Sequence, residues 1–334
     1  MSGGTAIAHP NIALVKYWGK ADATQNLPAT GSLSMTLDVF PTTTTVTLDP
    51  ALTRDEFVFN GTPTDPASTP GARVARFLDL VRERAGSAVH ARVVSDNTVP
   101  SAAGLASSAS GFAALAAAAS HAYGLPSDEA SLSRLARRGS GSASRSILPG
   151  FAVWSAGDDE TSFAEAVPAE DAAAEALADL AMVIAVVART EKPVSSREAM
   201  RATIETSPFY PAWVSSTAAT LDDALAACAA GDIDRLGAIT ETNALRMHAL
   251  IQSCDPPIRY LTPRSVAIFD EIAALRAAGT GVWGTADAGP NVVALCRAAD
   301  VPTVEAALAP LAEIVIARPG PGVRVMDASL EAHG

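Results

Sequence analysis

Cysteine is scarce: only Cys228, Cys254 and Cys296 occur in 334 residues, and no two have CxxC spacing. An odd, scattered set excludes a disulfide framework and a thiolate zinc site, and predicts reduced, mostly buried thiols. Positive charge is also short, with 24 Lys and Arg against 36 Asp and Glu and a net charge of -12. A nucleic acid or an anionic membrane needs a broad cationic field, so neither is an expected partner. A small polyanion needs only a local cluster of cations, and remains open. No apolar run reaches the roughly 20 uncharged residues of a membrane span, and no cationic segment followed by an apolar one opens the chain. A cytoplasmic location is the expectation. The strings HExxH, GxSxG and GxxxxGK[ST] are missing, and GSGSAS matches the dinucleotide fingerprint only in its first two glycines. The five histidines are scattered and none is assigned to catalysis or to a metal, although His248 in NALRMHAL is a candidate for the wall of a cleft.

What is present describes a folded enzyme-sized chain. Hydrophobic residues make up 49% and charged residues 18%, which is not the signature of disorder, and the length suits about two domains. Strand chemistry marks 7–15 and the β-branched 34–48, with Pro41 as an edge or break. A helix is predicted over 71–85, a strand over 89–94, and then a long Ala-rich helix ending at Gly124. A second helix follows, with Ser127 as its N-cap, pointing toward SGSASRS. LAMVIAVV at 180–187 reads as a strand buried on both faces. Helices are predicted over 196–206, 213–230, 232–247 and 263–278, followed by strands at GVWGTADAG and NVVALC and a final helix and strand. The domain boundary is expected near residue 190, dividing the chain into 1–188 and 189–334, and 49–70 reads as loop.

Four stretches carry chemistry. PSAAGLASSASG (100–111) lies between a strand and a helix. Gly104 allows close approach, Ser107, Ser108 and Ser110 offer hydroxyls, and the free N–H groups of the following helix favour an anion. The same composition also describes an ordinary capped loop. In NIALVKYWGK, Lys16 and Lys20 flank Tyr17 and Trp18, which suits a phosphate-binding pocket wall or an edge strand with solubilising lysines. GSGSASRS places Arg145 among small residues, where a guanidinium can receive a carboxylate or phosphate or simply decorate a turn. KPVSSREAM adds Lys192, Ser196 and Arg197 at a helix start. In TADAGPN, Asp287 in a rigid turn can serve as a general base, or be one of many turn aspartates.

In order, AHPNIALVKYWGK, TTTT, PSAAGLASSASG, RRGSGSASRS, GFAVW, ETSPFY, NALRMHA and DAGPN resemble the diphosphomevalonate decarboxylases of the GHMP kinase superfamily over nearly the whole chain. The resemblance implies a two-domain α/β (α+β) GHMP-kinase fold with a ribosomal-protein-like N-terminal domain, a C-terminal ferredoxin-like domain and an active site in the cleft between them. It also implies Mg2+ and ATP as co-substrate, mevalonate 5-diphosphate as substrate, and a homodimer. Carried over by position, Pro100, Ala103, Gly104, Leu105, Ala106, Ser107, Ser108 and Ser110 would hold ATP, with no protein metal site beyond Ser108 near the Mg2+ of the nucleotide. Tyr17, Lys20, Ser140, Ser142, Arg145, Ser196 and Arg197 would hold the substrate. Asp287, Lys16 and Arg145 would carry the chemistry, Arg145 on the substrate carboxylate. Close alternatives on the same fold are a phosphomevalonate decarboxylase and a mevalonate 3-kinase. A catalytically silent binder would be expected to lose the base or the phosphate loop, and both strings are present. The chain departs from the family pattern at 27–37, reading LPATGSLSMTL in place of LPxNSSLSVTL, so Ala29 to Gly31 lack the Asn and one Ser of that segment.

Overall fold

The computed structural model describes residues 3–98, 107–188 and 194–326. Among them, the first half contains β1 (Gly3–Ala8), β2 (Asn11–Val15), β3 (Lys20–Asp22), β4 (Leu27–Pro28), β5 (Ser32–Thr36), β6 (Thr42–Leu48), β7 (Glu56–Phe59) and β8 (Thr62–Pro63). Then come α1 (Thr69–Ala85), β9 (Ala91–Asn97), α2 (Ser107–Tyr123), α3 (Glu129–Gly139), a 3-10 helix (Gly141–Ile147), β10 (Phe151–Trp154), β11 (Ala164–Ala166), α4 (Asp171–Ala178) and β12 (Leu180–Val186). The second half adds α5 (Ser196–Thr206), α6 (Tyr210–Ala230), α7 (Ile233–Gln252), α8 (Pro263–Ala277), β13 (Val282–Thr285) and β14 (Val292–Arg297). It ends with α9 (Val301–Leu308), β15 (Glu313–Ala317) and β16 (Arg324–Met326).

Among the described residues, three larger sheets and a two-stranded ribbon of β3 and β4 organise these elements. One has the order β16-β1-β6-β9-β7-β8, the second β11-β10-β5-β2 and the third β13-β14-β12-β15. The pairs of the third sheet are all antiparallel, as in a ferredoxin-like layer. Helix α2 lies flat against the first sheet because its apolar face is built from alanine. A Cβ at Gly4 of β1 would strike the Ala118 carbonyl, so the strand and helix approach with nothing between them. Between the second and third sheets sit α6 and α7. Leu14, Leu33 and Met35 from one sheet and Met182, Ile184 and Leu295 from the other meet Leu221, Ala224 and Leu236 in one core. The opposite face of β12, with Ala181, Val183 and Ala185, packs on Ile268 and Ile272 of α8 and Val304 of α9. That double burial is why LAMVIAV has no polar alternation.

Helix ends follow local chemistry. The Ser68 hydroxyl accepts from Gly71 N–H and Gly86 closes α1 at φ 60°. Ser195 and Glu198 form a reciprocal capping box on α5. The N-cap of α3 is Asp128 rather than Ser127, since its carboxylate accepts from Ser131 N–H.

Several sequence expectations change. The strand expected at 7–15 is two strands in two different sheets, separated at His9 and Pro10. The run 34–48 likewise splits into β5 and β6, with Phe40 at φ 58° between them. Residues 49–70 are not simply loop: β7 and β8 pair as a hairpin and β7 runs parallel to β9. The segment after α3 is a 3-10 helix. β12, which precedes the division expected between 188 and 189, hydrogen-bonds to β14 and β15 and is a central strand of the third sheet. At the other end, β16 returns to pair with β1.

Candidate active site

Lys16 follows β2 directly, and its position after a fully buried strand carries it inside with only 1% of its surface exposed. Its ammonium donates to Asp287 Oδ1 at 2.7 Å and to the Ala13 carbonyl at 2.8 Å. A buried lysine without such partners would be costly. Burial lowers the Lys16 pKa, Asp287 opposes this, and the nearby positive charge of Arg145 lowers it further. Asp287 sits in the turn between β13 and β14 with its side chain 33% exposed, so this carboxylate is reachable while its partner is not. The turn is tied down by Gly289 N–H to the Asp287 carbonyl and by Asn291, whose Oδ1 accepts from Val187 and Ala188 N–H at the end of β12. Lys16 and Asp287 are 271 residues apart and come from the two halves of the chain.

Arg145, in the 3-10 helix, is 2% exposed. It donates to Asn11 Oδ1 at 3.2 Å and to the Ser32 hydroxyl, and its guanidinium lies 5.9 Å from the Trp154 ring centre. Asn11 is itself fixed by donating to Ser146 Oγ at 2.8 Å and to the Ser142 carbonyl at 3.0 Å. No carboxylate forms an ion pair with Arg145 among the described residues, and its Nε is buried without a partner. Burial lowers its pKa to about 10, which leaves it a cation at neutral pH. A buried guanidinium with donors to spare is a receptor for an anion.

Tyr17 stands edge-on to Trp154, with ring centres 4.8 Å apart, and its buried hydroxyl has no hydrogen-bond partner among the described residues. Burial raises its pKa, so it stays a neutral donor. Gly141 makes room for this ring, since a Cβ there would come within 2.8 Å of it. Beyond Tyr17, Lys20 donates to Asn26 Oδ1 at 2.5 Å. Burial, then the charges of Arg197 and Arg73, push the Lys20 pKa down to about 8. Lys20 and Asn26 line a cleft of about 930 Å3 whose lining also includes Arg73, Arg76, Arg138, Arg197 and Arg201 against Glu198 and Glu205. Six cations facing two acids, on a chain of net charge -12, concentrate positive potential at one place.

Residues 8–164 match the family model for the diphosphomevalonate decarboxylase-like N-terminal domain, and 182–316 match the mevalonate 5-diphosphate decarboxylase C-terminal domain. The chain belongs to the diphosphomevalonate decarboxylase family. It is similar to the diphosphomevalonate decarboxylase of Homo sapiens, with 36% identity across 86% of this chain and 75% of that protein. It also resembles the solved mevalonate diphosphate decarboxylase of Staphylococcus aureus, at 40% identity and TM-score 0.92 over 98% of each chain. A structure of MDDEF in complex with MVAPP, AMPPCP and magnesium superposes with TM-score 0.92 at 44% identity, covering 98% of this chain and 99% of that one. The mixed α/β two-domain architecture is thus that of the GHMP kinase fold.

In this member of the decarboxylase family the serines form a short ladder. Ser108 Oγ lies 3.2 Å from Ser140 Oγ, which lies 3.4 Å from Ser142 Oγ, linking the N-terminus of α2 to the 3-10 helix that bears Arg145. Ser107 is exposed at the start of α2. Ser110 is fully buried, accepts from Thr42 at 2.8 Å and donates to the Ser107 carbonyl, so its hydroxyl ties α2 to β6. Pro100, Ala103, Gly104, Leu105 and Ala106, and Lys192 as well, lie outside the described residues. Ser196 and Arg197 occupy the first turn of α5, where Ser195 rather than Ser196 is the cap. Among the described residues no group of three or more His, Cys, Asp or Glu side chains is arranged to hold a metal. No described helix is long and apolar enough to cross a membrane.

Sequence reasoning passed over Asn11 and Ser32, which hold Arg145, Arg73, which faces Lys20 and Arg197, and Asn243, which binds the Lys16 backbone. Asn11 lies inside NIALVKYWGK, Ser32 inside LPATGSLSMTL and Asn243 inside NALRMHA, but none of these strings shows what the residue binds. Arg73 had no local signal and meets the site across the fold.

Proposed function

We propose that this chain uses Mg-ATP to phosphorylate the 3-hydroxyl of mevalonate 5-diphosphate, and then releases phosphate and CO2 to leave isopentenyl diphosphate and ADP. The observation that carries the reading is the 2.7 Å Lys16–Asp287 pair beside a buried Arg145 that makes no ion pair among the described residues. Asp287, the reachable member, orients the 3-hydroxyl and takes its proton as that oxygen attacks the γ-phosphorus. Lys16 opposes the negative charge that accumulates on the transferred group. The chain offers serine hydroxyls and helix N–H groups to the nucleotide, with Ser107 and Ser108 at the start of α2. Mg2+ would come with ATP and offset the negative charge of its phosphates, with Ser107 and Ser108 nearest the metal-nucleotide.

Phosphorylation turns a poor leaving group into a good one. As the C3–O bond breaks, the electron pair leaves with phosphate and positive charge grows at C3. The bond from C2 to the carboxylate then supplies its electrons to form the C2–C3 double bond, and CO2 departs. Arg145 binds the carboxylate before this step, while Tyr17, Lys20, Ser140, Ser142, Ser196 and Arg197 hold the 5-diphosphate. The six-cation cleft favours a diphosphate over a monophosphate, since each further charged oxygen gains a charge-assisted hydrogen bond. A two-domain division with the active site between the halves, a cytoplasmic location and a homodimer belong to the same proposal; light scattering after gel filtration tests the last.

The deciding assay measures ADP and CO2 released by the purified protein from Mg-ATP with mevalonate, its 5-phosphate or its 5-diphosphate. Equal release with the diphosphate alone supports the reading. ADP without CO2 makes the protein a 3-kinase, equal release with the 5-phosphate makes it a phosphomevalonate decarboxylase, and no product with any of the three refutes the assignment.

A further inference from the structure

The Lys16–Asp287 pair is assembled from two loops with no covalent reason to meet, and α7 touches both. Asn243, 1% exposed, accepts from the Lys16 backbone N–H through Oδ1 at 2.7 Å. His248, five residues on and 3% exposed, lies with Nε2 3.3 Å from the Ala286 carbonyl, the peptide preceding Asp287. Burial, and then the charge of Lys16, lower the His248 pKa to about 4. The ring is therefore neutral at working pH, and the contact requires the tautomer that carries its proton on Nε2.

The same helix is locked onto β13 further up. Gly237 lets it lie directly on the Trp283 ring, where any Cβ would collide. Glu241 accepts from Gly284 N–H at 2.7 Å and from both Nη atoms of Arg276 at 3.1 and 2.7 Å. Thus one rigid rod follows β13 to the turn bearing Asp287 and also reaches the backbone of Lys16.

We infer that α7 is a strut that sets the Lys16–Asp287 geometry, with Asn243 and His248 as positioning residues that touch neither substrate nor nucleotide. This rests on reading Lys16 and Asp287 as the reacting pair. A displacement of about 1 Å in a reacting group costs on the order of a hundredfold in rate, so a small slip of either loop is felt in turnover before it is felt in binding.

The test compares the full-length protein with Asn243→Ala, His248→Ala and His248→Gln, whose amide Nε2 can replace the imidazole donor. We expect kcat to fall about ten- to a hundredfold in both alanine variants, with KM for the diphosphate substrate changed by less than about threefold. His248→Gln should recover most of the loss. Unchanged kcat in the alanine variants overturns the inference, as does a glutamine variant as inactive as His248→Ala, which would make His248 a proton carrier. Hydrogen exchange supplies a readout independent of activity. Asn243→Ala should accelerate exchange in the peptide containing Lys16, and His248→Ala in the peptide containing Asp287, while wild-type exchange in both refutes the strut. If the wild type releases neither ADP nor CO2, the proposed function fails and exchange alone decides the strut.

Discussion

Lys20 offers the sharpest pH test of the cleft. Its only hydrogen-bond partner among the described residues is the neutral Asn26 amide, and it faces Arg197 and Arg73 with burial as the largest penalty on its charge. Its pKa in the free protein is therefore about 8, well below the usual 10.5. The sign follows: Lys20 is a cation below pH 8 and loses its proton above it. If the cation binds the 5-diphosphate, kcat/KM is flat on the acid side of 8 and falls about tenfold per unit above it, reaching about one tenth of the plateau at pH 9. In Lys20→Arg the guanidinium keeps its charge over this range, so the limb at 8 disappears. Lys20→Met should give a profile without that limb and a KM raised about ten- to a hundredfold, the scale of losing one hydrogen bond to a charged group, with kcat little changed. Initial rates from pH 6 to 10 at subsaturating substrate decide the matter. A wild-type profile flat to pH 10, or a limb at 8 that survives in Lys20→Arg, refutes the assignment.

Asp287→Asn is expected to lose about a hundred- to ten-thousandfold in kcat while still binding the substrate, and calorimetric titration showing lost affinity would argue against its role as base. Arg145→Lys cannot reach Asn11 and Ser32 together, so turnover should fall and the ratio of ADP to CO2 should rise above one; a ratio held at one would remove Arg145 from the carboxylate. Gly31→Ser, which restores a serine like that of the family pattern, places a Cβ 2.5 Å from the Leu221 side chain and 3.0 Å from the Trp154 carbonyl. It should destabilise the protein by roughly 1–3 kcal/mol in urea unfolding, and Leu221→Ala should partly suppress that cost. Strictly additive effects of the two changes would show that this contact is not the cause.

The departure at 29–31 illustrates why some of the site escaped sequence reading. Gly31 is dictated by Leu221, nearly two hundred residues away on α6, and nothing local to LPATGSLS reveals that neighbour. Ser110 is the converse case. Its string offers a hydroxyl for phosphate, and its buried hydrogen bond to Thr42 of β6, 68 residues away, is nowhere written in PSAAGLASSASG. The strand at β12 was readable as doubly buried because both faces must be apolar, whereas its membership of the C-terminal sheet was not, since hydrogen-bond partners leave no mark on composition.

By itself the sequence determined the elements whose signals are local: the Ala-rich helix, the helices at 71–85 and 196–206, the apolar β12, and the ordered strings that identify the family. It also named Lys16, Arg145 and Asp287 through those strings. Only the tertiary structure decided that Lys16 would be buried and paired with Asp287, that Arg145 would rest on Asn11 and Ser32 without an acid, and that six cations would share one cleft. The physical reason is range. Propensity, capping and periodicity act over a few residues, whereas desolvation and charge pairing depend on which distant segments the packed core brings within a few ångströms of each other.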